Sequence, residues 1–182
     1  RIDVLCIGGA MANTFLKAQG ISIGASKFEE KKIRAAQELL ERAASHNVSI
    51  VLPRDHVVAA RLEPNAVGVR VDGAAVPDGM LTLDIGPKTA AAIAEEIGRA
   101  KTVFWNGPMG VFEIDAFAGG TRTVAEAIGA ANAFTVVGGG DSVAAIESAG
   151  VVDRISHVST GGGASLEFLQ LGTLPGVRVL ER

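Results

Sequence analysis

A short apolar run that breaks into glycine and then gives way to a helical period recurs four times in this 182-residue chain, and the recurrence restricts its fold more than composition does. The runs are residues 4–7, closed by Gly8-Gly9; 101–105, closed by Asn106-Gly107-Pro108; 135–137, closed by Gly138-Gly139-Gly140; and 155–159, closed by Thr160-Gly161-Gly162-Gly163. A helix after each buried strand carries the chain back to the start of the sheet, so the strands run parallel and their carboxyl-terminal loops share one rim. The expected fold is α/β: a Rossmann-like three-layer αβα domain, spanning the whole chain, with a mainly parallel sheet.

Between these units the period changes. Val67, Val69 and Val71 alternate with Gly68, Arg70 and Asp72, and Asp72-Gly73 is a hairpin signal, so residues 57–82 are expected to make a small antiparallel excursion. Residues 29–45 carry Ile33, Ala36, Leu39, Leu40 and Ala43 between charged positions, the apolar stripe of a surface helix. Helices are also expected over 10–18, from Pro87 to about Arg99, over 115–130 and 143–148, and after Ser165 through Leu171.

Charge and composition remove several functions. The chain is 48% hydrophobic and 20% charged with a net charge of -3, which suits a globular core and gives no basic stripe with which to displace counterions from nucleic acid. No apolar stretch reaches the roughly 18 residues of a membrane span. Cys6, the only cysteine, lies in an apolar run and reads as a small buried residue, so a reducing, cytoplasmic setting is expected. His46, His56 and His157 lack ligand spacing and read as a surface, a loop and a strand residue. No Gly-x-Ser-x-Gly elbow is present, and Gly8-Gly9-Ala10 lacks the dinucleotide spacing Gly-x-Gly-x-x-Gly. Gly86-Pro87-Lys88-Thr89 is not a Walker loop, because Pro87 intervenes and Leu81 stands where the first glycine is required.

The loops carry the chemistry. Residues 103–113 combine a strand with Gly107, Pro108 and Gly110 and end at Glu113; they read as a stiff binding loop whose carboxylate accepts ligand hydroxyls, or as a tight turn with a solvated carboxylate. Gly138-Gly139-Gly140-Asp141-Ser142 offers open N–H groups for phosphate oxygens and a hard carboxylate for magnesium, though Asp141 is equally suited to capping a helix. The second cradle at Gly161-Gly162-Gly163 follows on the next strand, and two anion cradles on one rim favour a polyphosphate ligand.

Taken together, residues 7–16, 83–89, 105–113, 138–142 and 159–167 closely resemble phosphoglycerate kinase, in particular its C-terminal, nucleotide-binding half. The resemblance implies reversible phosphoryl transfer between 1,3-bisphosphoglycerate and magnesium ADP, giving 3-phosphoglycerate and ATP. It implies that Gly8, Gly9 and Leu83 line an adenine slot walled by Asn106, Pro108, Gly110 and Val111, with Glu113 on the ribose. Asp141 is implied to reach magnesium, Gly139, Gly140 and Ser142 the nucleotide phosphates, and Gly161, Gly162 and Gly163 the phosphoryl group in flight. A cytoplasmic, monomeric glycolytic enzyme is the implied whole.

Two departures accompany the match. Ala10 stands where many relatives carry a third glycine, and the basic phosphoglycerate-binding domain, with the lysine segment that follows it, is not in this chain. The chain is therefore expected to be one domain of a longer polypeptide, binding nucleotide weakly and turning over none by itself. A non-catalytic nucleotide-binding module of the same fold is the competing expectation, and it leaves Glu113, Asp141 and both glycine cradles without a purpose.

Overall fold

Short β-branched runs with glycine at their ends form strands only when a neighbour completes their hydrogen bonds, and here three ladders do so. The computed structural model describes residues 2–178. In chain order these give β1 (Val4–Cys6), α1 (Gly9–Ala18), α2 (Ile33–Ser45), β2 (Ser49–Val51), β3 (His56–Ala59), β4 (Val69–Val71), β5 (Leu81–Ile85) and α3 (Pro87–Arg99). There follow β6 (Thr102–Asn106), α4 (Gly119–Ala130), β7 (Phe134–Gly138), α5 (Gly140–Ser148), β8 (His157–Ser159), α6 (Gly162–Leu171) and α7 (Pro175–Arg178). The expected helices over 29–45 and 115–130 each open on a single 3-10 turn, at Glu30–Lys32 and Asp115–Phe117.

The class is α/β, as expected. β1 pairs with β2 in parallel, and β6, β7 and β8 form a parallel ladder in that order. The excursion is antiparallel, in the order β4-β3-β5. The expected hairpin at Asp72-Gly73 is not made: β4 pairs with β3 on one side while β5 pairs with β3 on the other. The alternation of Val69 and Val71 specified a strand, but its partner was settled by β3, whose two edges it and β5 share. His56, expected in a loop, begins β3 and is fully buried.

The main core lies between the parallel ladder and α3, α4 and α5, where Ile93, Trp105, Val124, Ile128, Val137 and Ile146 pack together. A second cluster joins Ile7 of the β1–α1 turn to Phe15 and Ala36 on α1 and α2. On α2 the apolar stripe is Ile33, Ala36, Leu40 and Ala43, spaced three, four and three apart; Leu39 falls off it and is exposed. α6 departs from this pattern, for Leu166, Phe168, Leu169 and Leu171 all stand exposed. No helix among the described residues is long and apolar enough to cross a membrane.

The start of α3 is held from outside. Pro87 occupies its first turn, where a missing N–H costs nothing, and Asp55 from the loop before β3 accepts hydrogen bonds from the Lys88 and Thr89 N–H groups, each 2.8 Å. Thr89 Oγ1 donates to the same carboxylate at 2.5 Å. Burial pushes the Asp55 carboxyl up, yet these bonds outweigh it and hold the group below the usual carboxylate range. Its stabilising effect is therefore present above the unfolded carboxylate value and lost as pH falls through the depressed folded one. Asp55→Asn should lower stability by roughly 1–3 kcal/mol at neutral pH and shrink the acid limb of the stability profile, as read by urea unfolding at several pH values; an unchanged acid limb would take the role from Asp55.

Candidate functional site

Parallel pairing brings Asn106, Gly138 and Ser159 to the same level at the ends of β6, β7 and β8. The loops that leave them are then tied across strands. Asn106 Nδ2 donates to the Gly138 carbonyl at 2.7 Å, the Gly139 N–H to the Ser159 carbonyl at 2.9 Å, and the Gly107 N–H to Ser142 Oγ at 2.6 Å. Ser142 is fully buried, so its hydroxyl acts as a fixed peg between the β6 loop and α5. Gly139 precedes α5 with φ +97, a left-handed value that disfavours any side chain. A Cβ on Gly162 would lie 2.9 Å from both Gly139 Cα and Asn106 Nδ2, so the starts of α5 and α6 touch backbone to backbone.

That contact shapes an open pocket of about 280 Å³, lined by Asn106, Gly107, Gly139, Gly140, Asp141, Ser142, Gly162, Gly163 and Leu166. Neither α5 nor α6 has a side-chain cap, so first-turn N–H groups are left open at both, in a region that the helix dipoles make positive. Asp141 is the second residue of α5 and does not cap it; its carboxylate is exposed at the pocket. An anion with several oxygens, accompanied by a hard cation, matches this equipment.

The remaining predicted residues lie outside the lining of that pocket and, apart from Gly161, connect to it through the loop after β6. The Gly9 N–H donates to the Met109 carbonyl at 3.1 Å, joining the β1–α1 turn to the β6 loop, and the Val111 N–H donates to the Leu83 carbonyl at 2.8 Å. Gly8, Gly9, Leu83, Pro108, Gly110, Val111 and Glu113 are thus linked through one loop, with Glu113 exposed in the turn closed by the Ile114 N–H on the Val111 carbonyl. Gly161 adjoins the pocket as the residue before α6. Asn106, expected as a wall of the base slot, instead turns its amide toward Gly138 and lies against Gly139 and Gly162, because its place at the end of β6 puts β7 within reach.

Leu166, Thr121 and Asp84 are not among the predicted site residues, while Gly107, expected as part of the binding loop, lines the pocket itself. Thr121 Oγ1 accepts from the Met109 and Gly110 N–H groups at 3.1 and 3.2 Å. Asp84 is 1% exposed and its carboxylate accepts from the Gly120 N–H at 2.7 Å and the Ile85 N–H at 2.9 Å. Burial pushes this carboxyl up to about 7, against the pull of those two bonds. A carboxylate inside the apolar run 81–85 was the one available signal for it. Cys6, expected to be buried, is half-buried; burial, then the Glu96 carboxylate, push its thiol up to about 11.

An α/β domain with an anion-accepting pocket at the carboxyl ends of parallel strands is a ligand-binding domain of the doubly wound class. The particular family follows from comparison. The profile described as Phosphoglycerate kinase matches residues 1–171, and the chain belongs to that family. It is 55% identical over 181 residues to phosphoglycerate kinase from Anaeromyxobacter sp. (strain Fw109-5), covering 100% of this chain and 46% of the relative, and 56% identical over 180 residues to that from Moorella thermoacetica, covering 99% and 46%. Among solved structures, phosphoglycerate kinase from Coxiella burnetii superposes with a TM-score of 0.93 at 47% identity, covering 99% of this chain and 47% of that one. The chain thus spans about half the length of the relatives it matches.

Two outcomes follow from the geometry. Gly162→Ala must push Gly139 and Asn106 apart, which should cost about 1–3 kcal/mol by urea unfolding; a wild-type midpoint would mean that the helix starts are not in contact. For Asp84, whose folded value lies above its unfolded one, the folded chain holds a proton that the unfolded chain has released between about pH 4 and 7, so its contribution is full below the unfolded value and fades as pH rises. Asp84→Asn should flatten that part of the stability profile by a few kcal/mol.

Proposed function

We propose that this chain is the nucleotide-binding half of a phosphoglycerate kinase, which within a longer polypeptide moves a phosphoryl group reversibly between 1,3-bisphosphoglycerate and ADP, with 3-phosphoglycerate and ATP as products. The observation that carries the reading is the meeting of two uncapped helix starts and one exposed carboxylate in a single pocket, beside a loop that ends in Glu113. Transfer of this kind needs positioning and charge neutralisation more than covalent chemistry, and backbone N–H groups supply both without reorganising.

In this reading the backbone at Gly139, Gly140 and Ser142 meets the nucleotide phosphates, with the Gly140 and Ser142 N–H groups as donors and the Gly139 N–H kept on the Ser159 carbonyl, and the N–H groups at Gly161, Gly162 and Gly163 face the phosphoryl group being passed. Gly8, Gly9, Leu83, Pro108, Gly110 and Val111 form the slot for the purine, while Glu113 accepts from the ribose hydroxyls. Asn106 serves the phosphate end, holding the β6 and β7 loops together through the Gly138 carbonyl. Asp141 is the magnesium ligand. No group of three or more His, Cys, Asp and Glu residues suited to a metal exists among the described residues, which fits magnesium, a cation that takes one or two carboxylates and completes its shell with water and phosphate oxygens. Bound there, it would neutralise charge on those oxygens.

No lysine or arginine lines the pocket. Cationic donors for the phosphoryl oxygens, and the phosphoglycerate itself, are assigned to the other half of the polypeptide, brought in by closure of the two halves. A cytoplasmic, monomeric enzyme of glycolysis completes the reading.

Calorimetric titration of this chain with ADP, with and without magnesium, tests it. Wild type should bind more tightly with magnesium; Asp141→Ala should lose that gain, and Glu113→Ala should weaken binding about fivefold to tenfold, the worth of a lost hydrogen bond. A magnesium effect that survives Asp141→Ala would remove Asp141 from the metal role. In a coupled assay the chain alone should form no ATP from 1,3-bisphosphoglycerate, and substantial turnover would overturn the division of labour.

A further inference from the structure

Asp84 has no part in the roles above, and it is the buried carboxylate that stands between the strand layer and the loop over residues 107–113. Its surroundings are made for it. A Cβ on Gly110 would collide with the Asp84 carboxylate and stand 2.6 Å from the Leu83 carbonyl, and a Cβ on Gly120 would stand 2.5 Å from Asp84 Oδ1, so two separate backbone segments close onto one side chain. α4 begins at Gly119 without a cap of its own, and Asp84 Oδ2 accepts the Gly120 N–H, serving from another strand as the cap that Ala118 cannot provide. The next residue, Thr121, turns its hydroxyl to the Met109 and Gly110 N–H groups. On the other flank, the Leu83 carbonyl receives the Val111 N–H.

We infer that Asp84 is the positioning residue of the nucleotide loop: by seating the first turn of α4 and the Gly110 backbone against one carboxylate, it sets where residues 107–113, and so Glu113, stand. The loop is tied to Ser142 of α5 through Gly107 and to Gly9 through Met109, Met109 and Phe112 pack on the main core, and its far end hangs on Thr121 and Leu83. Both of those supports are neighbours of a group that Asp84 holds or of Asp84 itself. Removing the carboxylate strands two buried N–H groups, at Ile85 and Gly120, and opens a void against Gly110, so the loop loses its floor and its clamp together. The consequence for nucleotide affinity rests on the function proposed above; the consequence for the loop does not.

The test uses the 182-residue chain with Asp84→Ala, the near-isosteric Asp84→Asn, and Asp55→Asn as a control that weakens the fold at the start of α3, away from the loop. Amide hydrogen exchange without ligand should quicken at least tenfold over residues 107–114 in D84A, less in D84N, which keeps one acceptor, and not in D55N. The dissociation constant for magnesium ADP should rise about tenfold or more in D84A, as losses of supporting hydrogen bonds behind a ligand shell do, and stay at the wild-type value in D55N. Loop exchange at the wild-type rate in D84A, or an equal change in D55N, overturns the inference. Where D84A does not fold, D84N decides on the same two readouts, with a change confined to the loop supporting the inference and none, or a uniform one, overturning it. A wild-type chain that binds no ADP would sink the proposed function, while the exchange comparison still decides the role of Asp84.

Discussion

Everything at the rim depends on β6, β7 and β8 being parallel and level. In an antiparallel arrangement the three glycine turns would alternate between opposite ends of the ladder, and no pocket would exist. Parallel pairing sets Asn106, Gly138 and Ser159 side by side, and the chain beyond each turns at the same height. The starts of α5 and α6 then have nowhere to go but against each other, and the absence of a Cβ on Gly139 and Gly162 allows them to meet. Two partial positive charges are held close by the geometry of a sheet, with no cationic side chain required.

Such a site holds charges of both signs. Open N–H groups at two helix starts favour an anion, whereas Asp141 beside them repels one and favours a cation. A phosphate chain together with a divalent metal satisfies both at once, which is why the pocket and the single exposed carboxylate are more informative together than apart. Leu166, exposed at the pocket edge, gives one apolar wall to an otherwise polar lining. Phe168, Leu169 and Leu171 of α6 are exposed as well, so the helix that supplies one N-terminus to the pocket has no buried residue.

Support from behind is as specific as the lining. Ser142, Thr121 and Asp84 are buried polar groups, and each accepts hydrogen bonds from loop or helix-start N–H groups that would otherwise face an apolar interior. A buried acceptor is costly unless paired, so their presence fixes the loops where apolar packing alone would leave them to slide. Asp55 does the same for the start of α3. The fold thus uses carboxylates from neighbouring strands and loops in place of local caps at α3 and α4, and that choice couples helix position to strand position.

The sequence alone determined the strand, glycine and helix order, the α/β class, the antiparallel excursion, and the two cradles with Asp141 and Ser142 among their residues. These are local properties: an apolar run of period two, a glycine at a conformation other residues avoid, and a stripe at period 3.6 each leave a mark within a few positions. Tertiary structure decided which strand β4 would pair with, that Leu39 would face solvent, that His56 would be buried, that the Asn106 amide would turn to the Gly138 carbonyl, and that Asp84 would sit under Gly110 and Gly120. The pairings among them join residues 11 to 36 positions apart, and hydrogen bonding and burial are settled by the register of whole elements, which no window of neighbouring residues contains.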